Sequence, residues 1–164
     1  MKRLILMRHA KSDWSDLDAT DHERTLNPRG IQSATAMGAW LSQNDLLPDQ
    51  VLCSDAARTR QTLELLRLPE APVTFHHGLY LAQAKVMLRA IKKQTGDCLL
   101  LVAHNPGIAV LAEQLVVQPP KDPEFDNFPT CATLVADFDI SAWSEIKSGT
   151  GLVRHFIVPR RLTQ

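Results

Sequence analysis

The chain has no excess charge of either sign: 18 Lys and Arg residues balance 18 Asp and Glu residues. That argues against broad electrostatic binding to nucleic acid or to an anionic membrane, although a local positive pocket is still allowed. No apolar stretch is long enough to span a bilayer, so no membrane association is expected. Met1-Lys2-Arg3 precedes only four apolar residues, too few for a secretory signal. Cysteine is scarce: Cys53, Cys98 and Cys131 show no CxxC spacing. An odd count without a signal peptide fits the reducing cytoplasm. Cys53 and Cys98 lie in apolar runs and fit small core residues better than nucleophiles. The six histidines show no metal-ligand spacing, and His76-His77 would point to opposite faces of a strand. Internal repeats and low-complexity segments are also lacking.

What is present is an ordinary globular composition, 45% hydrophobic and 22% charged. It fits one domain over residues 1–164 with a real core. Apolar runs alternate with helical patterns. Arg3–Met7 lacks period-2 alternation, as expected of a central strand covered on both faces. Further strands are expected at Gln50–Cys53, Pro72–His76, Cys98–Ala103, Ala132–Asp137 and Gly151–Val158. Asn27-Pro28 should open a helix, with Asn as N-cap and Pro at its first position, ending near Gln43-Asn44. Its expected apolar stripe is Ile31, Ala34, Met37 or Gly38, and Leu41. Ser54 or Asp55 should cap a second helix running to about Leu66, with Ala56, Leu63 and Leu66 inward. Ala82–Thr95, with Val86, Leu88 and Ile91 inward, and Pro106–Val117 complete the set; a short helical segment is expected around Ala142–Ile146. The resulting fold class is α/β, a three-layer α/β/α sandwich with a mostly parallel central sheet. Two long loops remain, Lys11–Thr25 and the proline-rich Gln118–Thr130, and loops of that length are often functional.

Three segments carry chemistry. Arg8-His9-Ala10 follows the first strand, Cys53–Thr62 follows the second, and Val102-Ala103-His104-Asn105-Pro106-Gly107 spans the end of another. Each places a cation or an imidazole just past a buried strand, on the sheet edge where open α/β folds bind ligands. Arg8, His9, Arg58 and His104 could converge there. Two guanidinium forks and two imidazoles suit a phosphate dianion. One imidazole could attack phosphorus while the other donates to an equatorial oxygen. The helix starting near Pro106 would aim free N–H groups at the same place. Arg58 and Thr62 share one helix face. Lys11 and Ser12 are candidate contacts to phosphate or partner, and Asn105 would either turn the chain or hydrogen-bond in the pocket. Trp14 would line the mouth or act as a packing lid.

In register, these motifs resemble the histidine phosphatase superfamily, which includes the cofactor-dependent phosphoglycerate mutases. Arg24-Thr25-Leu26-Asn27-Pro28-Arg29-Gly30 is similar to the segment that leads into that family's first helix. The small size, the Arg-His-Ala-Lys-Ser-Asp-Trp opening and Asp21-x-x-Arg24-x-Leu26 resemble its SixA-type phosphohistidine phosphatases. The resemblance implies a phosphoglycerate mutase-like fold with His9 as nucleophile, Arg8 and Arg58 as phosphate clamps, and His104 as the second pocket imidazole. It implies no metal and no other cofactor, because the arginines supply the charge neutralisation. It further implies a monomeric cytoplasmic enzyme acting on a phosphohistidine-bearing protein such as a phosphotransfer domain. A small-molecule phosphomonoesterase or a non-catalytic phosphate-binding module are the alternatives.

Two departures stand out. Ala10 replaces the family's Gly, which a negative φ would tolerate. The region His76–Ala82 carries no carboxylate where many members place an acidic Glu. A phosphoramidate needs less acid assistance than an alkyl ester, so this loss favours phosphohistidine. Asp21, Asp13 and His77 are the substitute proton donors, while Asp21 could instead pair with Arg24 and brace its loop. His22 and His155 are expected on the surface, with Arg60 turned away from Arg58.

Overall fold

A computed structural model describes residues 1–164. Strands β1 (Lys2–Arg8), β2 (Gln50–Ser54), β3 (Val73–His76), β4 (Cys98–Ala103), β5 (Thr133–Phe138) and β6 (Leu152–Ile157) form one sheet. Their spatial order is β3-β2-β4-β1-β5-β6. The first four are parallel, while β5 runs antiparallel to both neighbours. Helices α1 (Pro28–Gln43), α2 (Ala57–Leu65), α3 (Ala84–Lys92) and α4 (Gly107–Leu115) cover the two faces.

The absence of alternation in β1 and β4 has a direct cause. Leu4 and Leu6 pack with Leu99 and Leu101 against Met87, Ile91, Ile108 and Leu111 of α3 and α4. Their neighbours Ile5 and Met7 pack with Leu100 and Val102 against Ala34, Met37 and Leu41 of α1. Both strand faces are therefore apolar. Each such side chain contributes on the order of 1.5–3 kcal/mol on burial.

The expected start of α1 is present. The Asn27 side chain accepts the Gly30 N–H at 2.8 Å, and Pro28 occupies the first turn. The inward stripe differs at one position: Ile31 is exposed, and Gly30, Ala34, Met37, Gly38 and Leu41 are buried. The two glycines set this orientation, because close backbone approach decides which face turns inward. A Cβ at Gly38 would lie 2.1 Å from the Leu66 carbonyl oxygen, and one at Gly30 would lie 2.1 Å from that of Lys11. Helix α1 thereby rests directly on the segment that follows His9.

Other boundaries shift. Helix α3 is shorter than expected and buries Ala84, Met87 and Ile91 most deeply, leaving Val86 and Leu88 half-buried. Ser54 and Asp55 do not cap α2; its N-cap is Ala56, without a side-chain bond. The short segment near Ala142–Ile146 is a single turn, Trp143–Glu145. No helix is long and apolar enough to cross a membrane.

Candidate active site

Strands β1, β4 and β2 are neighbours and parallel, so their carboxyl ends lie side by side. Each contributes. Arg8 ends β1 and His9 follows it. His104 follows β4. Ser54 ends β2 and leads into α2, which carries Arg58. Arg8, His9, Arg58 and His104 border a cavity of about 330 Å³, together with Lys11, Ser12, Trp14, Leu81, Asn105 and Thr130. The six candidate residues Arg8, His9, Lys11, Arg58, His104 and Asn105 are thus brought together.

His9 is held tightly. Its backbone N–H donates to the Ala103 carbonyl at 3.1 Å, and its carbonyl accepts from Cys131 N–H at 2.9 Å. Its Nδ1 lies 2.7 Å from the Ala10 carbonyl oxygen, which can only accept, so Nδ1 carries the proton. That leaves the lone pair on Nε2, facing the Arg58 Nε at 3.4 Å. The Ala10 N–H donates to Thr62 Oγ1 at 3.0 Å, and the Thr62 hydroxyl donates to the Arg58 carbonyl at 2.7 Å. One threonine on α2 therefore ties the His9 segment to the turn bearing Arg58. Ala10 is not among the residues with positive φ, so its methyl is accommodated without strain.

The pocket disfavours extra positive charge. Burial, assisted by the cationic Arg58 and Arg8, lowers the His9 pKa to about 4, against a smaller opposing contribution from its bond to Ala10. Burial, then His9 and Arg58, lowers that of His104 to about 3. Both imidazoles are neutral near pH 7. Their ring centroids are 5.2 Å apart.

His104 Nε2 lies 2.7 Å from Ser54 Oγ. That oxygen accepts the Ala56 N–H at 3.4 Å, and its own hydrogen can be given to Nε2. In that pairing the neutral ring carries its proton on Nδ1. This buried Nδ1 has no partner within the protein, and neither do Arg8 Nε and Asn105 Oδ1. Arg8 Nη1 and the Asn105 amide both donate to the Phe128 carbonyl, at 3.3 and 3.1 Å. The Gln118–Thr130 loop thus braces the pocket. The unpartnered N–H groups, with the two guanidiniums, form a donor set for an anion.

Asp21 does not pair with Arg24. Its carboxylate accepts from Arg58 Nη2 at 3.1 Å and from the Tyr80 hydroxyl, and its carbonyl accepts from Arg58 Nη1 at 2.7 Å. Arg24 instead donates to the Asp16 carbonyl at 3.2 Å and stacks on Trp14 at 4.0 Å. Partial burial raises the Asp21 pKa, but the bonds from Tyr80 and Arg58 outweigh it, so the carboxyl stays below its usual range. Burial and Asp21 push the Tyr80 phenol upward. Of the three substitute acids, only Asp21 touches a pocket residue. Asp13 caps the Ser15 N–H, and His77 sits on Asp55.

Two further expectations are corrected. The start of α4 does not line the cavity, whose wall on that segment ends at Asn105. Gly107 packs so closely on Ala82 that an added Cβ would lie 1.9 Å from its carbonyl oxygen. His22 is half-buried rather than a surface residue: its Nε2 lies 2.8 Å from Asp55 Oδ1. Arg60 points away as expected, stacking on Phe75 at 4.0 Å. His155 is exposed, beside Trp40. The thiols stay protonated, because burial raises Cys53 and Cys131 to about 12 and Cys98 to about 11.

Residues 4–80 match the histidine phosphatase superfamily (branch 1). An uncharacterised protein of Mycobacterium tuberculosis is 36% identical over 162 residues, covering 94% of this chain and 100% of that relative. The chain belongs to the histidine phosphatase superfamily. A Mycobacterium leprae relative, also uncharacterised, is 32% identical over 163 residues with the same coverage. Among solved structures, a candidate phosphohistidine phosphatase SixA from Nakamurella multipartitia superposes with a TM-score of 0.79 at 30% identity. The match covers 96% of this chain and 97% of that one. Within the superfamily the chain falls in this SixA-type branch. The protein histidine phosphatase SixA complexed with tungstate shares the fold, with a TM-score of 0.76 at 23% identity over 98% and 99% of the two chains. The superfamily fold accounts for the grouping of Arg8, His9, Arg58 and His104 at one sheet edge.

Proposed function

We propose that the protein hydrolyses phosphohistidine on a protein substrate through a phosphoryl intermediate on His9 Nε2. The observation that carries the chemistry is the state of His9: neutral, protonated on Nδ1 by its bond to Ala10, with Nε2 facing Arg58. In the first displacement the bond between phosphorus and the substrate imidazole breaks as one to Nε2 forms, and that imidazole, already protonated on its other nitrogen, leaves neutral. Arg8 and Arg58 take the phosphoryl oxygens, and His104 Nδ1–H donates to a third as charge develops. The leaving imidazole departs with little acid assistance, which suits a site whose neighbouring carboxyl, on Asp21, is ionised and has no proton to give. In the second displacement water attacks phosphorus, Nε2 leaves, and inorganic phosphate is released. Asp21, ionised and bonded to Arg58, takes the proton of that water.

The form of the pocket favours a protein over a metabolite. Its rim carries Trp14, 62% exposed, and Leu81, 53% exposed. Apolar side chains on an open rim suit a macromolecular surface. Lys11 at the same rim supplies a cation for the phosphate or for an acidic partner.

The test is phosphate release, with chelator present, from a phosphohistidine-bearing phosphotransfer domain and from phosphoserine and 3-phosphoglycerate. Faster turnover of the phosphotransfer domain is expected. Equal or reversed rates would move the assignment to a small-molecule phosphomonoesterase.

A further inference from the structure

Beside the catalytic pocket, three segments distant in the chain converge on one point. His22 comes from the turn Asp21–Glu23, Asp55 from the link between β2 and α2, and His77 from the turn that follows β3. The His22 Nε2 lies 2.8 Å from Asp55 Oδ1, and the His77 Nδ1 lies 3.0 Å from Asp55 Oδ2. All three ligand atoms fall within 4.8 Å of one another. From this geometry we propose that His22, Asp55 and His77 bind one divalent transition-metal ion of the zinc class.

The donor set fits such an ion. Two imidazoles and one carboxylate match a zinc site that keeps a position open for water. Bonds of about 2.0–2.1 Å in tetrahedral geometry need ligand atoms roughly 3.3 Å apart, so both Asp55 contacts already fit and the widest pair must close by up to about 1.5 Å. Two imidazole nitrogens disfavour calcium and magnesium, which take oxygen ligands. Without a thiolate the set does not select Cu(I).

The surroundings hold the rings in place. Tyr80 packs edge-on against His22, with centroids 4.8 Å apart, and lies 5.9 Å from His77. Its hydroxyl is fixed on Asp21. No cation claims the Asp55 carboxylate: Arg60 donates to the Asp55 backbone carbonyl instead, and its guanidinium stacks on Phe75. The His77 side chain is 75% exposed, which leaves an open approach for the ion. A bound ion would fasten the turn carrying Asp21 to the end of β2, next to Arg58. It takes no part in the phosphoryl transfer proposed above.

The test is calorimetric titration of the chelator-stripped full chain with zinc chloride, using wild type, His22→Ala, His77→Gln and His76→Ala. His77→Gln alters an exposed side chain, so folding is preserved. One ion per chain is expected for wild type and for His76→Ala, with at least about a tenfold loss of affinity in the other two variants. Cobalt substitution should give a visible absorption band of four- or five-coordinate intensity in wild type that His77→Gln abolishes. No zinc binding at micromolar concentration overturns the proposal. So does binding unchanged in His22→Ala and His77→Gln.

Discussion

The Nε2 of His9 faces the Nε of Arg58 at 3.4 Å, while its Nδ1 is tied to the Ala10 carbonyl 2.7 Å away. One contact selects the tautomer and the other places a cation where phosphoryl oxygens would arrive. Orientation of both residues depends on Thr62, which accepts from Ala10 and donates to the Arg58 carbonyl. Nucleophile and clamp are therefore positioned by one helix turn.

Two neutral buried histidines make stability depend on pH. Their folded pKa values, about 4 for His9 and about 3 for His104, lie below the ordinary value of 6.5. The unfolded chain therefore takes up protons first as pH falls. This stability is fully present above pH 6.5 and is lost as pH drops through the folded values. The slope is up to about 1.4 kcal/mol per pH unit for each histidine. Urea unfolding at a series of pH values should show that loss, and His104→Gln should flatten it. An unchanged slope in the variant would contradict the burial argument.

Ser54 holds the His104 ring through its 2.7 Å contact with Nε2. Ser54→Ala should lower kcat by about tenfold, the worth of one buried hydrogen bond, with KM nearly unchanged. A change confined to KM would mean that Ser54 acts on substrate binding rather than on the donor in the transition state.

Asp21 is assigned to the second displacement. Asp21→Asn should slow hydrolysis of the intermediate more than its formation, so phosphoenzyme should accumulate in the steady state. Rapid-quench measurement of protein-bound phosphate checks this. A variant that forms less phosphoenzyme than wild type would place Asp21 in the first step instead.

Gly38 faces the Leu66 carbonyl oxygen, where a Cβ would come within 2.1 Å. Helix propensity alone favours alanine over glycine by about 1 kcal/mol. Overpacking of a close helix contact costs about 1–3 kcal/mol, and here the obstacle is backbone. Gly38→Ala should therefore destabilise the protein, seen as a lower Tm. A raised Tm would show that α1 and α2 can separate without loss.

Arg8, His9, Arg58 and His104 were legible in the sequence because each sits at a fixed offset from an apolar run that can only be a buried strand. Strand ends fix backbone position, and three parallel ends must lie on one edge. Asp21 and Tyr80 were not legible as partners. Their contact depends on the path of the Lys11–Thr25 loop, which has no periodicity to read. Ile31 fits the apolar spacing of α1 yet is exposed, because the close approach that Gly30 and Gly38 permit turns another face inward. The expected role for the start of α4 failed for a related reason, since Gly107 is committed to Ala82. His22, Asp55 and His77 show no ligand spacing along the chain, being 33 and 22 residues apart, and only the fold brings them together.

The most direct measurement is to mix the protein with a phosphohistidine-bearing phosphotransfer domain, quench rapidly at alkaline pH, and map the phosphoryl adduct by mass spectrometry. Wild type should carry the adduct on His9, and His9→Ala should carry none and release no phosphate. Phosphate release by His9→Ala, or an adduct on His104 or any other residue of the wild type, would contradict the account.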